Sequence, residues 1–121
     1  MVVQMPSRPT DAEVDRIFQA LADATRRDIV RRVIGREQRV SDLAGRYEMS
    51  FAAVQKHVAV LERSGLVAKR RQGREQIVSP VVATIGRARG LLDELEALWR
   101  GRIDRMAAIL QEDAAAAHAE R

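Results

Sequence analysis

The sequence predicts a mostly α-helical domain that carries one small β-hairpin. Apolar residues recur three and four residues apart along the first half of the chain, which is the period of a helix face. The period changes to two in LVAKRRQGREQIVS, and helical spacing returns beyond Pro80. The 121 residues suffice for one core. We therefore expect a single domain over residues 11–112, with a flexible leader at 1–10 and a tail at 113–121 that frays.

The first two helices are predicted from apolar spacing and capping residues. Apolar positions of the first helix follow the pattern i, i+3, i+4 and i+7: Val14, Ile17, Phe18 and Leu21. Either Thr10 or Asp11 can cap its start. Asp23 can cap the second helix, which Gly35 would end. The apolar positions of the second helix are Ile29, Val30, Val33 and Ile34.

Two short helices joined by a tight turn are predicted next. Ser41 is the expected cap of the third helix, and Ser50 is the expected cap of a fourth helix that ends before Gly65. The third helix would bury Leu43, Ala44 and Tyr47. Because only a few residues connect the two helices, they are typical of a helix-turn-helix unit.

The hairpin and the last helix follow from the changes of period. Gly73 separates two short alternating stretches and can adopt the positive φ of a tight hairpin turn. A helix of roughly 30 residues, about 45 Å long, follows Pro80 and exceeds what the rest of the domain can cover. Its apolar positions, interrupted only by Arg102, are Ile85, Ala88, Leu92, Leu95, Trp99, Met106 and Ile109.

Basic charge is concentrated in the middle of the chain. Residues 26–74 contain 13 Lys and Arg against 5 Asp and Glu, although the net charge of the chain is only +4. Such a block suits a polyanion partner, because each neutralised phosphate releases condensed counterions. A solvated surface explains the charge alone equally well. The chain has no Cys, which excludes disulfides, thiolate metal sites and cysteine nucleophiles.

The fourth helix has a polar sector suited to double-stranded DNA. A helical projection collects its buried positions on one side: Val54, Val58 and Leu61. The opposite sector combines small residues, an amide and cations, which serve base edges and phosphates in a major groove. Its candidate DNA contacts are Ser50, Phe51, Ala52, Gln55, Lys56, Ala59 and Arg63. Gln55 suits a base edge, whereas Lys56 and Arg63 suit phosphate. The alternative is an ordinary amphipathic surface helix.

The hairpin carries four cations around its turn: Lys69, Arg70, Arg71 and Arg74. We interpret them as contacts for phosphate or for the minor groove. The alternatives are that their charge keeps the hairpin soluble, or that it prevents another strand from adding to the edge of the sheet. Arg71 and Arg74 flank the turn and are the best candidates, whereas Lys69 is a candidate DNA contact whose orientation stays open. Arg26 and Arg27 either neutralise a carboxylate or contact the DNA backbone.

His57 falls in the apolar sector of the fourth helix. Packing with a local hydrogen bond is the favoured interpretation of this residue. A phosphate contact is the first alternative, followed by a metal ligand or a pH sensor.

Two segments of the chain resemble the ArsR/SmtB family of bacterial winged helix-turn-helix repressors. They are LADATRRDIVRRV and VSDLAGRYEMSFAAVQKHVAVLERSGLVAKRRQGREQ, within residues 17–79. The resemblance implies a symmetric dimer formed by the first and last helices. It also implies a recognition helix at Ser50–Arg63 and an Arg-rich wing at Lys69–Arg74. Phe51 and Ala52 stand where relatives often have polar residues, so base reading is expected to differ and to include methyl contacts with thymine.

The metal sites familiar in that family are not matched. Where family members often carry Cys-x-Cys, this chain has Arg39-Val40-Ser41, and an arginine cannot ligate a cation. The other familiar site needs His on the last helix, which has no His before His118. That helix offers only carboxylates, which suit harder ions bound weakly: Asp93, Glu94, Glu96 and Asp104. We expect no metal and no cofactor.

A homodimer is expected because the outer helices have more apolar residues than one domain can bury. The candidate interface is Val14, Phe18, Leu21, Leu91, Leu92, Leu95, Leu98, Trp99, Met106 and Ile109. No nucleophile lies in an activating motif, so an enzyme is not expected. The chain has neither a signal peptide nor a membrane span, which predicts a cytoplasmic location without a membrane partner.

The predicted function is a dimeric transcriptional repressor bound to a near-palindromic operator. The alternatives are a non-specific DNA-organising protein and a protein-interaction module that docks through its last helix. The effector that would release DNA is unknown.

Overall fold

The computed structural model describes residues 8–119. Its elements in chain order are α1 (Asp11–Leu21), α2 (Ala24–Gly35), β1 (Gln38–Arg39), α3 (Val40–Ala44), α4 (Phe51–Arg63), β2 (Val67–Gln72), β3 (Glu75–Pro80) and α5 (Val82–Ala119). The chain divides into two compact units, of which the first ends at Ala88 and the second begins at Arg89. The division falls within α5, inside the range expected to form one domain. Most of the leader lies outside the described residues.

Three of the four helix caps match the sequence prediction. Thr10, rather than Asp11, caps α1 by accepting from the backbone N–H of Glu13 at 3.2 Å. Asp23 caps α2 at 3.0 Å, and Ser50 caps α4 at 3.1 Å. These side chains satisfy backbone donors that the first helical turn leaves unpaired.

The prediction that Ser41 caps the third helix is wrong. The N-cap of α3 is Arg39, which makes no side-chain capping bond, and Ser41 lies inside the helix. The helix begins two residues earlier than expected because Val40 is buried with Leu43 in the core and directly follows the end of β1. Tyr47 lies beyond the end of α3, in the connection to α4.

The sheet has three antiparallel strands in the order β1-β3-β2. The hairpin β2–β3 was predicted, whereas β1 was not, since two residues are too few to show a period of two. Gln72 pairs with Glu75, so Gly73 and Arg74 form a two-residue turn. Gly73 has a φ of 65° and no non-glycine residue among those described has positive φ, which is the pattern of a type II′ turn.

One apolar core packs helices α1, α2, α3 and α4 against the sheet and includes one residue of α5, Ala88. The residues that fill it are Ile17, Ala20, Ile29, Val30, Val33, Val40, Leu43, Val54, Val58, Leu61, Leu66, Val67, Val78 and Ala88. Helix α4 contributes the three residues that its projection placed on the buried side. Burial of this face turns the opposite face of α4 toward solvent.

A helix-stopping motif sets the direction in which the chain leaves α4 for the wing. Gly65 has a φ of 82°, and Leu66 donates its backbone N–H to the carbonyl of Leu61 at 3.1 Å. Together with the bond from Gly65 to Glu62 this is a Schellman motif. The hydroxyl of Thr84 donates to the Gly65 carbonyl at 2.6 Å. The position of β2 after α4 is thereby fixed by local bonds.

Helix α5 is longer than the sequence predicts. It has 38 residues and includes most of the segment 113–121 that was expected to fray. Four consecutive alanines at 114–117 explain the extension, because alanine has the highest helix propensity and needs no packing partner. Residues 120 and 121 lie outside the described residues, and fraying of this end stays a prediction.

Candidate nucleic-acid interface

The solvent face of α4 contains six of its seven predicted DNA contacts. The exposed residues are Ser50, Phe51, Ala52, Gln55, Lys56 and Arg63, whereas Ala59 is half-buried. The buried line of Val54, Val58 and Leu61 lies on the other side of the helix. Among residues 8–119, Gln55, Lys56 and Arg63 have no hydrogen-bond or ion-pair partner. An amide and two cations are therefore free to bind a ligand.

The connection between α3 and α4 is tied to α2 by a small polar cluster. The hydroxyl of Tyr47 donates to Oδ2 of Asp28 at 2.6 Å, and Nε of Arg32 donates to the same oxygen at 2.8 Å. The guanidinium of Arg32 lies 5.7 Å from the Tyr47 ring centroid. This cluster holds the turn that sets the angle between α3 and α4.

The cluster shifts the pKa values of Tyr47 and Asp28. Burial, followed by the bond to Asp28, raises the pKa of Tyr47 to about 12. The bonds from Tyr47 and then from Arg32 lower the pKa of Asp28 below its ordinary value. At neutral pH Asp28 is therefore an anion that accepts both bonds.

His57 lies on α4 beside a guanidinium that caps α1. Nε and Nη2 of Arg26 donate to the carbonyls of Ala20 and Gln19 at 2.7 and 2.9 Å, and Nη1 lies 3.4 Å from Nδ1 of His57. Because a guanidinium has only donors, a hydrogen bond at this contact needs Nδ1 as its acceptor. The imidazole is half-buried, and its contact is with a residue of α2 that is distant in sequence, so the local hydrogen bond favoured by the sequence analysis stays a prediction.

Arg26 and Arg27 both bond to the end of α1. Nη1 of Arg27 donates to the Leu21 carbonyl at 2.8 Å. Cations at a helix C-terminus interact favourably with its unpaired carbonyls and its dipole. One of the two roles left open by the sequence also holds for Arg26, because its Nη1 lies 3.8 Å from Oδ2 of Asp23. The carbonyl bond of Arg27 is of neither kind.

The two faces of the wing carry different cations. Lys69 and Arg71 alternate with buried Val67 and share its face, and Nζ of Lys69 lies 3.6 Å from Oε1 of Glu62 on α4. Lys69 therefore points toward α4, because that carboxylate attracts it. Arg71 donates its Nε to the Gly73 carbonyl at 3.3 Å.

On the opposite face Arg70 donates to Oε2 of Glu37 at 2.8 Å. This bond lowers the pKa of the Glu37 carboxyl. Oε2 of Glu75 lies 3.6 Å from Nε of Arg39. Arg74, at the second position of the turn, has no hydrogen bond or ion pair among residues 8–119. The turn therefore presents one unpaired guanidinium.

A cleft of about 380 Å³ separates the first turns of α4 from the wing. Phe51, Val40 and Val58 give it apolar walls, and Gln55 and Arg74 are among its polar lining residues. A second and larger hollow, of about 1190 Å³, lies between β1, α3 and the wing. Four of the residues around this second hollow are arginines: Arg36, Arg39, Arg46 and Arg70. Sequence reasoning did not single out Arg36 or Arg46, whose only signal is membership of the basic segment, and named Arg39 only as a residue that cannot ligate a metal.

Arg39 stands where members of the ArsR/SmtB family often have a Cys-x-Cys motif. In this chain it forms an ion pair with Glu75. Within residues 8–119 no three His, Asp or Glu side chains come together in a way that could hold a metal ion. The same part of the chain contains no helix long and apolar enough to cross a membrane.

The predicted interface residues of the last helix lie in the second unit. All except half-buried Leu91 are more than half exposed: Leu92, Leu95, Leu98, Trp99, Met106 and Ile109. Ile103 and Leu110 add to this apolar surface and were not predicted. In the first unit Phe18 and Leu21 are partly buried against the core, and Val14 is half-buried.

Comparison with known proteins matches this chain and its fold to one family. Residues 23–69 match the family described as bacterial regulatory protein, arsR family. A crystal structure of an ArsR family transcriptional regulator superimposes with a TM-score of 0.73 at 31% identity, over 78% of this chain and 97% of that one. The chain belongs to the ArsR family. This membership confirms the predicted winged helix-turn-helix fold.

Two further relatives agree with the assignment to the ArsR family. An ArsR-like transcriptional regulator from Rhodococcus sp. RHA1 has a TM-score of 0.72 at 32% identity, over 81% of this chain and 92% of that chain. The HTH-type transcriptional regulator Rv2034 of Mycobacterium tuberculosis is 41% identical over 63 residues. That match spans 52% of this chain and 59% of the relative. These relatives are named as regulators, which confirms the prediction that this ArsR-family chain is not an enzyme.

Proposed function

We propose that this ArsR-family chain is a sequence-specific DNA-binding repressor that acts as a homodimer in the cytoplasm. The observation that carries the proposal is the exposed face of α4. Gln55 and Lys56 lie there without an internal partner, beside a wing that presents the unpaired Arg74. Free cations next to a free amide suit a duplex, because phosphates position the protein and base edges specify the sequence.

In the proposed complex α4 enters the major groove. Its N-terminal residues face base edges, as is usual for a recognition helix. Gln55 pairs with an adenine edge, and Lys56 and Arg63 bind phosphates. Arg71 and Arg74 bind the adjacent backbone or minor groove. Half-buried Ala59 lies at the margin of this contact and leaves room for the groove wall.

The exposed apolar residues of the second unit support the proposed homodimer. Seven large apolar side chains of this unit are more than half exposed on one helix, which is unusual for a stable monomer, and a twofold interface would bury them. The proposed interface includes Val14, Phe18 and Leu21 of α1. Two recognition helices related by a twofold axis would read a near-palindromic operator whose half-sites lie about 10 base pairs apart, or a multiple of that spacing.

The test begins with selection of duplexes from a random pool by the wild-type chain. The affinity of the enriched duplex is then compared with that of a scrambled duplex over a salt series, and sedimentation gives the stoichiometry. A repressor of this kind prefers the enriched duplex at least a thousandfold, on the order of specific DNA-binding proteins, and binds it as a dimer.

Each alternative predicts a different result in the same experiment. Tight binding without enrichment of any sequence would indicate a DNA-organising protein. Weak binding even at low salt would indicate a protein-interaction module.

A further inference from the structure

Phe51 is an unusual residue for the solvent face of a polar helix. It is the first residue of α4, and its side chain is 50% exposed, although it is the largest apolar side chain on that helix. Phe51 lines the same cleft as Gln55, the residue proposed to face a base edge. Water contact with a large apolar surface is unfavourable, so burial of this ring on binding would be favourable.

The cleft beside Phe51 has apolar and polar lining residues, and the polar ones include Lys69 and the carboxylate of Glu75, which lies 3.6 Å from Nε of Arg39. Val40 and Val58, which are 7% and 1% exposed, line it together with the Phe51 ring. Gln55 lies one helical turn after Phe51 and lines the same cleft, as does Arg74 of the wing. An occupant of matching chemistry has a small apolar group, an adjacent hydrogen-bonding edge and a nearby anion.

A thymine nucleotide in a duplex has these three features. Thymine is the base that presents a methyl group in the major groove, next to an O4 acceptor and the N6 and N7 atoms of the paired adenine. Its phosphate supplies the anion. Cytosine presents an amino donor instead of O4 and has no methyl group at C5. The net positive charge of residues 26–74 is complementary to the backbone that bears the base.

We infer that the cleft between α4 and the wing receives the C5-methyl group of a thymine, which Phe51 contacts, beside the base edge that Gln55 reads. This inference rests on the proposed function and adds to it one specificity-determining residue and one chemical feature of the operator. Each half-site then contains a thymine whose methyl group, and not only its hydrogen-bonding edge, contributes to affinity.

The test removes single methyl groups from the DNA and leaves the wild-type protein unchanged. In the duplex enriched by selection, each thymine is replaced in turn by deoxyuridine, which keeps every hydrogen-bonding group. We expect one position per half-site at which the replacement weakens binding about fourfold, the effect of one buried methyl group. In a second series, a C·G pair at that position binds more tightly when the cytosine carries a C5-methyl group.

Two substitutions assign the effect to a residue. Phe51→Ser should bind the thymine and deoxyuridine duplexes equally. Ile34→Ser is the matched control, because Ile34 is 51% exposed on α2 and should leave the preference for thymine intact. Thermal unfolding shows whether each variant is folded, and the deoxyuridine series on the wild type tests the inference without any variant.

The results separate the inference from the proposed function. Equal affinity of the wild type for thymine and deoxyuridine at every position would overturn the inference, while enrichment of a sequence would still support the repressor. A thymine preference that survives in folded Phe51→Ser would also overturn it, since another residue would then contact the methyl group. Failure to enrich any sequence would overturn both.

Discussion

The cations of the proposed DNA-binding surface, Lys56 and Arg74, differ in their partners from Arg39 of β1 and Arg70 of β2. Lys56 on α4 and Arg74 at the turn make no ion pair within residues 8–119, whereas Arg70 bonds to Glu37 at 2.8 Å and Arg39 lies 3.6 Å from Glu75. Both regions belong to the same basic segment of the sequence. The difference teaches that basic charge alone does not identify a phosphate contact, because a neighbouring carboxylate can already occupy the cation.

The largest expected effect comes from removing the two unpaired cations together. The double variant Lys56→Ala with Arg74→Ala should weaken binding to enriched and scrambled duplexes alike, by about 3 kcal/mol at low salt, because each loses one charge-assisted bond. The slope of log K against log salt concentration should become shallower by about 2 per subunit. Gel shifts over a salt series measure both quantities. An unchanged slope would mean that neither side chain holds a phosphate.

Replacement of the amide on the same face should act on sequence rather than on charge. Gln55→Ala should cost about 1 to 3 kcal/mol on the enriched duplex and relax the preference at one base step per half-site. The salt slope should not change. Selection repeated with the variant measures the preference. If the variant enriched the same sequence, Gln55 would not read a base.

A smaller effect, on stability, is expected from removing the hydroxyl of Tyr47. Tyr47→Phe removes the bond to Asp28 and should lower the free energy of unfolding by about 1 to 2 kcal/mol, since the acceptor is charged but partly exposed. Urea unfolding at pH 7 measures the change. Arg46→Ala, an exposed neighbour in the same connection, serves as the control and should leave the stability unchanged.

The same variant should change how stability depends on pH. The pKa of Asp28 is lowered from its ordinary 3.8 in the folded chain, so its contribution is present above that value and is lost as the pH falls through the lower folded pKa. Tyr47→Phe removes the main cause of this lowering. The loss of stability below about pH 4 should therefore be smaller in the variant than in the wild type. An equal acid response would show that Tyr47 does not set the acidity of Asp28.

The smallest expected effect is that of an internally paired cation. Arg70→Ala should leave both DNA affinity and salt slope as they are in the wild type, because Glu37 already occupies the guanidinium. This variant is the counterpart of the double variant described first. A slope reduced by about 1 would instead show that Arg70 exchanges Glu37 for a phosphate on binding.

Much of the fold could be predicted because its determinants are local. The caps Asp23 and Ser50, the apolar period of α4 and the glycine turn at Gly73 act over a few residues, and the sequence alone displays them. Strand β1 could not be predicted, since its two residues pair with a strand, β3, that comes about 40 positions later in the chain. The start of α3 was misplaced because the burial of Val40 depends on the packed core.

The candidate site shows the same limit. The helical projection was sufficient to find the exposed Gln55 and Lys56 on α4. It could not find that Lys69 pairs with Glu62, that Arg26 reaches His57, or that Tyr47 bonds to Asp28, because those partners are distant in sequence. The fold, and not the basic segment of the sequence, therefore decides which cations lack an internal partner.

The central claim is that DNA binds the exposed face of α4 and the turn of the wing. Titration of the isotope-labelled wild-type chain with the enriched duplex, followed by backbone amide NMR, tests this claim most directly. We expect the largest shifts at residues 50–56 and 71–74, with small shifts at Glu37 and Arg70. Large shifts confined to Glu37, Arg70 and the hollow around them, or to residues 89–119, would contradict the proposed interface.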